Sequence, residues 1–398
     1  MAFLYINAKG LPWKRHSYSA GNTFDQCPLK YKLQKIHGWK EKNNKARFEL
    51  GKAFESAVQF YHEHQGDLNE AKRHFEGQWQ PYATVDLQYT KVERDWARCR
   101  IIGLDWLSLY ALRQPSLPIP LGGQTLFQRE YEKEVFPGDP NYGEIVDAGK
   151  LDIVSWVEPN HPLLPRLEWK PEYGALRPII VDIKTAGNDF PDHYGIAAHD
   201  PQLRRYSWLS SIRDVALLWF VKKSPALAKG YSVTLLEDAG YMAAGAEAVI
   251  AAIDKESIWL VANDFITEEM ERVQGQKNGK TDQTAEARAR RDQWLETNAV
   301  RVSEHQITKQ RLQFNAGYVT IESANDAGLI AARQITNIVQ SWHSGNWENK
   351  FGVRYPHDDR SDPYFRAFVL GDEAYKVENF TRSDEEIDLF AEEDTETE

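Results

Sequence analysis

Ile179-Ile180-Val181-Asp182-Ile183-Lys184-Thr185 is an aliphatic, largely β-branched run carrying one acid and one base. Pro178 and Gly187 bound it, and the composition predicts a short buried strand. Successive side chains of a strand point to opposite faces, so Asp182 and Lys184 share one face while Val181 and Ile183 share the other. A carboxylate at the end of a core strand can hold a hard cation. An ammonium two residues on can orient a water or meet a developing negative charge. A strand-end ion pair is the plain alternative, and the rest of the chain bears on the choice.

Upstream, residues 125–136 alternate enough to form a strand that includes Glu130. Residues 143–157 form another, containing Gly149-Lys150-Leu151-Asp152, a half-polar segment with one inward acid suited to stand beside the Asp182 strand. The proline-rich residues 158–178 read as an inserted hairpin or loop. Downstream, a loop through Gly187, Pro191 and His193 leads to a helix near Pro201. That helix places Gln202 and Tyr206 four apart on one face, with Arg204 and Arg205 flanking it. Residues 213–221 make a further buried strand, and 231–236 are a candidate for one more. Helices, strands, helix and strand in this order define an α/β fold.

The N-terminal part is helical in pattern. Ser19 and Thr23 are candidate N-caps of a first helix, and Lys30, Lys32 and Lys35 make the segment after it basic. A solvated face is the default for such lysines, and a phosphate path the functional reading. A second helix over residues 46–64 carries Phe48, Leu50, Phe54, Val58 and Tyr61 at helical spacing. Gly51 would admit a close neighbour, and Glu55 lies one turn beyond it. Residues 87–112 predict a third, structural helix, and residues 238–344 look mainly helical. The loop from Gly275 to Thr281 has three residues between its glycines where a phosphate-binding loop needs four, so nucleotide binding there is rejected. Arg288, Arg290 and Arg291 read as an exposed helix face. The expected division is a helical part over 1–120 that contributes Glu55, an α/β core over 121–236, a mainly helical part over 237–382 packed on the core, and an acidic disordered tail over 383–398.

The 398 residues suffice for a large core, and the net charge is −11. Nine acids and no base fall between Asp384 and Glu398, leaving about −2 on the remainder, so the body can still present a basic groove. No apolar run approaches a membrane span, and the expectation is a cytoplasmic protein with no membrane contact. Two cysteines, Cys27 and Cys99, exclude a disulfide scaffold and a four-cysteine metal site built from one chain.

Glu55, Asp152, Asp182 and Lys184 supply three carboxylates and a lysine, the set that metal-assisted phosphodiester hydrolysis requires. With the neighbouring segments they resemble the PD-(D/E)XK nucleases, in particular the RecB-like exonuclease branch. The resemblance rests on five segments in order: Phe24 to Tyr31 with its serine-rich entry, Gly51 to Glu55, Gly149 to Asp152, Val181 to Thr185 and Gln202 to Tyr206. It implies a restriction-endonuclease-like mixed central sheet flanked by helices, here with additional helical N- and C-terminal elaborations. It also implies magnesium or manganese and cleavage of DNA, usually from an end. Carried over by position, Asp152, Asp182 and Lys184 are catalytic. Glu55, Asp152, Asp182 and the Ile183 carbonyl ligate metal, and Gln202 and Tyr206 contact DNA, with Arg204, Arg205 and Lys30 as further DNA contacts.

Two departures stand out. The helical ligand is often histidine in this branch and is Glu55 here. Many relatives also hold an iron–sulfur cluster on a cysteine like Cys27 and three more near the C-terminus, whereas the stretch from Gly345 to Tyr364 has none. No such cluster is expected, and packing must hold that end. The leading reading is a magnesium-dependent DNA exonuclease of recombination, repair or phage DNA processing, partnered by a recombinase, helicase or single-strand-binding protein. An endonuclease of the same fold and a non-catalytic DNA-binding protein are the competing readings.

Overall fold

A computed structural model describes residues 10–42, 45–90, 93–165, 176–186, 196–222, 275–277, 280–282, 284–290, 293, 312–351 and 362–382. The chain opens with β1 (Arg15–His16), α1 (Tyr18–Gln26), α2 (Pro28–Tyr31) and β2 (Trp39–Glu41). Three longer helices follow: α3 (Ala46–Glu63), α4 (Leu68–Trp79) and α5 (Trp96–Arg113). Then come β3 (Thr125–Glu134), β4 (Val146–Val157), β5 (Arg177–Ala186), α6 (Ile196–His199), α7 (Pro201–Ser210) and β6 (Asp214–Val221). The described C-terminal elements are the hairpin β7 (Gln276–Lys277) and β8 (Lys280–Thr281), β9 (Leu312–Tyr318), α8 (Ile321–Ser344), α9 (Glu373–Asn379) and β10 (Phe380–Arg382).

The central sheet is mixed. β5 and β6 are parallel, β4 and β5 antiparallel, and β6 and β9 antiparallel. On one face, Ile153, Val181, Ile183 and Leu218 pack under α3, α4 and α5. On the other, Leu151, Val154, Ile180 and Leu217 pack under α6, α7 and the start of α8. This is the expected mixed sheet flanked by helices.

The sheet is forked. β3 runs antiparallel along β4 from Val146 to Ser155 and occupies one edge. The opposite edge of β4 pairs with β5 over Ile153 to Val157 and with β1 at Val146 and Asp147. Between these pairings residues 148–152 carry no ladder partner on that edge among the described residues. Past Val181, β5 continues to Ala186 paired with β6 alone. The ladder with β3 is also interrupted at Asp152, where Gln128 takes φ +50°. Leu151 and Val154 consequently pack on one side and Ile153 on the other, so regular alternation breaks at Asp152.

Several boundaries differ from expectation. Ser17 caps α1, accepting the Ala20 N–H, while Ser19 and Thr23 lie inside the helix. The expected third helix begins at Trp96 after its cap Asp95; before it, Gln88 bridges to Lys45 and the Thr90 N–H donates to Glu93. The span 237–382 is not simply helical, since β9 enters the central sheet beside β6 and α8 packs on α7. A boundary at residue 236 therefore falls within the unit that forms the sheet. Gly275 opens the short β7–β8 hairpin. Residues 231–236 and the acidic tail lie outside the described residues.

Aromatic packing joins the N-terminal segment to the C-terminal one. Tyr31 stacks on Trp347 with ring centroids 6.2 Å apart, and Phe24 meets both rings edge-on. The Leu29 N–H donates to the Glu348 carbonyl, and Cys27 is buried beside this cluster in sequence.

Candidate active site

Asp182 and Lys184 lie where β5 leaves β4, on the face covered by α7. Strand alternation places them together, and Lys184 Nζ lies 2.9 Å from Asp182 Oδ2. Asp182 is buried, whereas the Lys184 side chain keeps 32 % exposure, enough for a substrate group to reach it. Asp152 faces the same fork from β4. Its Oδ2 accepts the Ile183 N–H at 2.8 Å, taking over from the backbone ladder that ends at Val181. The two carboxylates are thus held on diverging strands by main-chain geometry.

α7 supplies the third side of the fork. Asp200 caps it by accepting the Leu203 N–H, and Pro201 opens the first turn. Lys184 Nζ donates to Gln202 Oε1 at 2.9 Å, and Gln202 Nε2 donates to the Tyr206 hydroxyl at 2.7 Å. The sequence-expected pair Gln202 and Tyr206 therefore meets Lys184 directly. Gly149 makes this approach possible: a Cβ there would stand 2.8 Å from the Tyr206 ring and 2.9 Å from Leu209.

Burial alone would lower the Lys184 ammonium. The charges of Asp182, Asp152 and Asp200 outweigh it and hold the group above its ordinary value. Lys184 is accordingly a charged donor.

The remaining expected residues divide. Asp147 takes Arg205 in a bidentate pair at the bottom of α7, and both side chains are buried. Arg205 is therefore held inside the fold, away from the surface that the expected DNA contact needs. Arg204 donates to the Ser323 carbonyl from Nε and Nη2, tying α7 to α8. The Lys30 ammonium bonds Asp362 at 2.9 Å and lies over the Tyr364 ring, which commits it to the C-terminal contact. Glu55 is half-buried on α3, which packs on the Val181 and Ile183 face, and a Cβ added at Gly51 would stand 3.7 Å from Thr185 Oγ1. Among the described residues no three His, Cys, Asp or Glu side chains are gathered into a ready metal-ligating set.

Tyr18 was not singled out in the sequence. It follows the two-residue β1, which rejoins β4 across the fork, and is half-buried there. Burial and the charge of Asp200 push its phenol above the ordinary range against the pull of Lys184 and Arg205, with Asp182 adding to the rise. A strand of two residues leaves no periodic signal, so only the fold places Tyr18 near Lys184.

The fork of the mixed sheet thus brings together two aspartates, a lysine and a glutamine–tyrosine pair. The family model of the PD-(D/E)XK nuclease superfamily matches residues 15–114, about a quarter of the chain. The match spans β1 to α5, including Glu55, and ends before Asp152, Asp182 and Lys184. The sheet architecture is consistent with the restriction-endonuclease-like fold of that superfamily, and the match points to phosphodiester hydrolysis. No curated protein and no solved structure gives a significant match to the chain. Among the described residues no helix is long and apolar enough to cross a membrane.

Proposed function

We propose that this protein is a metal-dependent DNA exonuclease acting in recombination, repair or phage DNA processing. The observation that carries the reading is the contact of Lys184 with both Asp182 and Gln202 at the fork that Asp152 faces. The choice of exonuclease rests on the order of the five segments that resemble the RecB-like branch.

Two buried carboxylates and a main-chain carbonyl fit a hard divalent cation that keeps several of its own waters. Asp152, Asp182 and the Ile183 carbonyl would hold magnesium or manganese, with Glu55 as a third carboxylate. When bound, such an ion polarises a phosphoryl oxygen and lowers the pKa of a coordinated water. Lys184, kept charged by its acidic neighbours, donates to the attacking water or to a phosphate oxygen as negative charge builds. Gln202 accepts from Lys184 and donates to Tyr206, so the pair fixes where the ammonium points. DNA reaches Lys184 from its exposed side, with Arg204 on the same helix as a further contact.

The test is digestion of end-labelled linear DNA against covalently closed circles, with magnesium and with EDTA. Magnesium-dependent loss of the linear form alone, stopped by Lys184→Ala, is the expected result and gives the polarity. Cutting of circles would make the enzyme an endonuclease. Tight binding without cutting would leave a DNA-binding protein.

A further inference from the structure

We propose that Gln334 and Asp25, acting through Arg205, form a buried positioning relay that sets α7 against Lys184. The inference rests on the nuclease reading and names residues that reading does not use. Arg205 lies about a quarter turn round α7 from the Gln202 and Tyr206 face. Its Nε donates to Asp147 Oδ2 at 2.6 Å, and Nη2 donates to Asp147 Oδ1. Its Nη1 donates to Gln334 Oε1 at 2.7 Å, and Gln334 Nε2 donates to Asp25 Oδ2 at 2.6 Å. One chain of polar contacts therefore joins α7, β4, α8 and α1.

The fit is close. Arg205, Asp147 and Gln334 are each no more than 3 % exposed. α1 approaches α8 at Gly21, where a Cβ would stand 2.2 Å from Gln334 Oε1, so the glycine makes room for the amide. Stability alone does not account for such a network, because well-packed apolar residues often replace a buried ion pair without loss. Direction does. A bidentate guanidinium fixes the angle and height of a helix as apolar packing does not. The contact Lys184 makes with Gln202 depends on that angle. The same relay reaches α1, whose first residue, Tyr18, flanks the fork.

Gln334 is outside the fork, which separates positioning from direct chemistry. Gln334→Met keeps the side-chain length and removes the polar links to Arg205, Asp25 and His16 while leaving Arg205 on Asp147. At a temperature well below its melting transition, this variant is expected to lose about tenfold in kcat for cleavage, with KM for DNA little changed. If the relay acts through Gln202, Gln334→Met combined with Gln202→Ala falls no further than Gln202→Ala alone. The exchange of Asp25→Asn with Gln334→Glu keeps Arg205 donating to residue 334, rebuilds the bond between residues 25 and 334 with its donor reversed, and is expected to restore most of the rate lost in Gln334→Glu. That cycle reads the same coupling should Gln334→Met fail to fold.

Wild-type kcat in Gln334→Met, a loss that multiplies with that of Gln202→Ala, or an exchange pair no faster than Gln334→Glu would each overturn the relay. In those cases wild-type cleavage that stops on Lys184→Ala leaves the nuclease reading standing. A wild-type protein that cuts no DNA overturns that reading, and the relay falls with it.

Discussion

Asp182 and Lys184 differ in what each can tolerate. Asp182 is buried against Lys184, and its value lies in charge, so Asp182→Asn preserves shape while removing the negative site. Loss of cleavage by at least about a thousandfold is expected, with a melting temperature close to wild type. Retention of wild-type cleavage would remove Asp182 from the site. Gly149 makes a different demand, because it faces the Tyr206 ring with no space for a methyl group. Gly149→Ala forces Tyr206 or Leu209 to shift, at about 1–3 kcal/mol of stability, and disturbs the hydroxyl that Gln202 meets. Urea unfolding and single-turnover cleavage should both fall. An unchanged rate would show that Tyr206 does not order the fork. The acid, lysine, glutamine and tyrosine were legible because alternation and four-residue spacing survive in the sequence. The burial of Arg205 was not, since a guanidinium beside a functional face reads as a ligand contact until Asp147 is placed opposite it.

At the scale of elements, what the sequence revealed follows the strength of local patterns. β5 and α3 are regular enough to be read nearly to their ends, whereas β9 is not. Its residues Leu312-Gln313-Phe314-Asn315-Ala316-Gly317-Tyr318 mix polar and small side chains, and its place comes from backbone pairing with β6. β1 is shorter still, yet its pairing with β4 closes the fork. The junction of α1 and α2 with the segment after α8 was legible only as a requirement for packing, and an aromatic cluster fills it. Trp347 is half-buried there against Phe24 and Tyr31. Trp347→Ala is expected to cost about 2 kcal/mol, less than a fully buried tryptophan would. The variant should also expose Cys27, so faster labelling by a thiol reagent should accompany the lower unfolding midpoint. Unchanged labelling would mean that the aromatic cluster does not seal this junction.

For the whole molecule, buried histidines set the response to acid. His62 sits among Tyr61, Tyr110 and Phe127, with Nε2 2.7 Å from the Tyr110 hydroxyl. Burial pushes it down to about 4, against a pull from the Pro120 backbone. His16, beside Gln334, is lowered well below its ordinary value by burial and by the charge of Arg205. Both are neutral when folded and take up a proton near pH 6.5 when unfolded. Their contribution is complete above that pH and is lost as pH falls, for His62 down to about 4. Between pH 7 and 5.5 His62 should remove about 1 kcal/mol, and His16 acts in the same direction, in a range where ordinary carboxylates do not yet titrate. His37, His74 and His161 are lowered in the same direction by burial but lie nearer the surface. Urea unfolding at the two pH values measures the sum, and His62→Gln isolates one part because glutamine can still meet Tyr110 but does not titrate. That variant should lose about 1 kcal/mol less than wild type between pH 7 and 5.5. An equal loss in both proteins would mean that His62 is protonated alike in the folded and unfolded chain, and that acid acts on the fold through other groups.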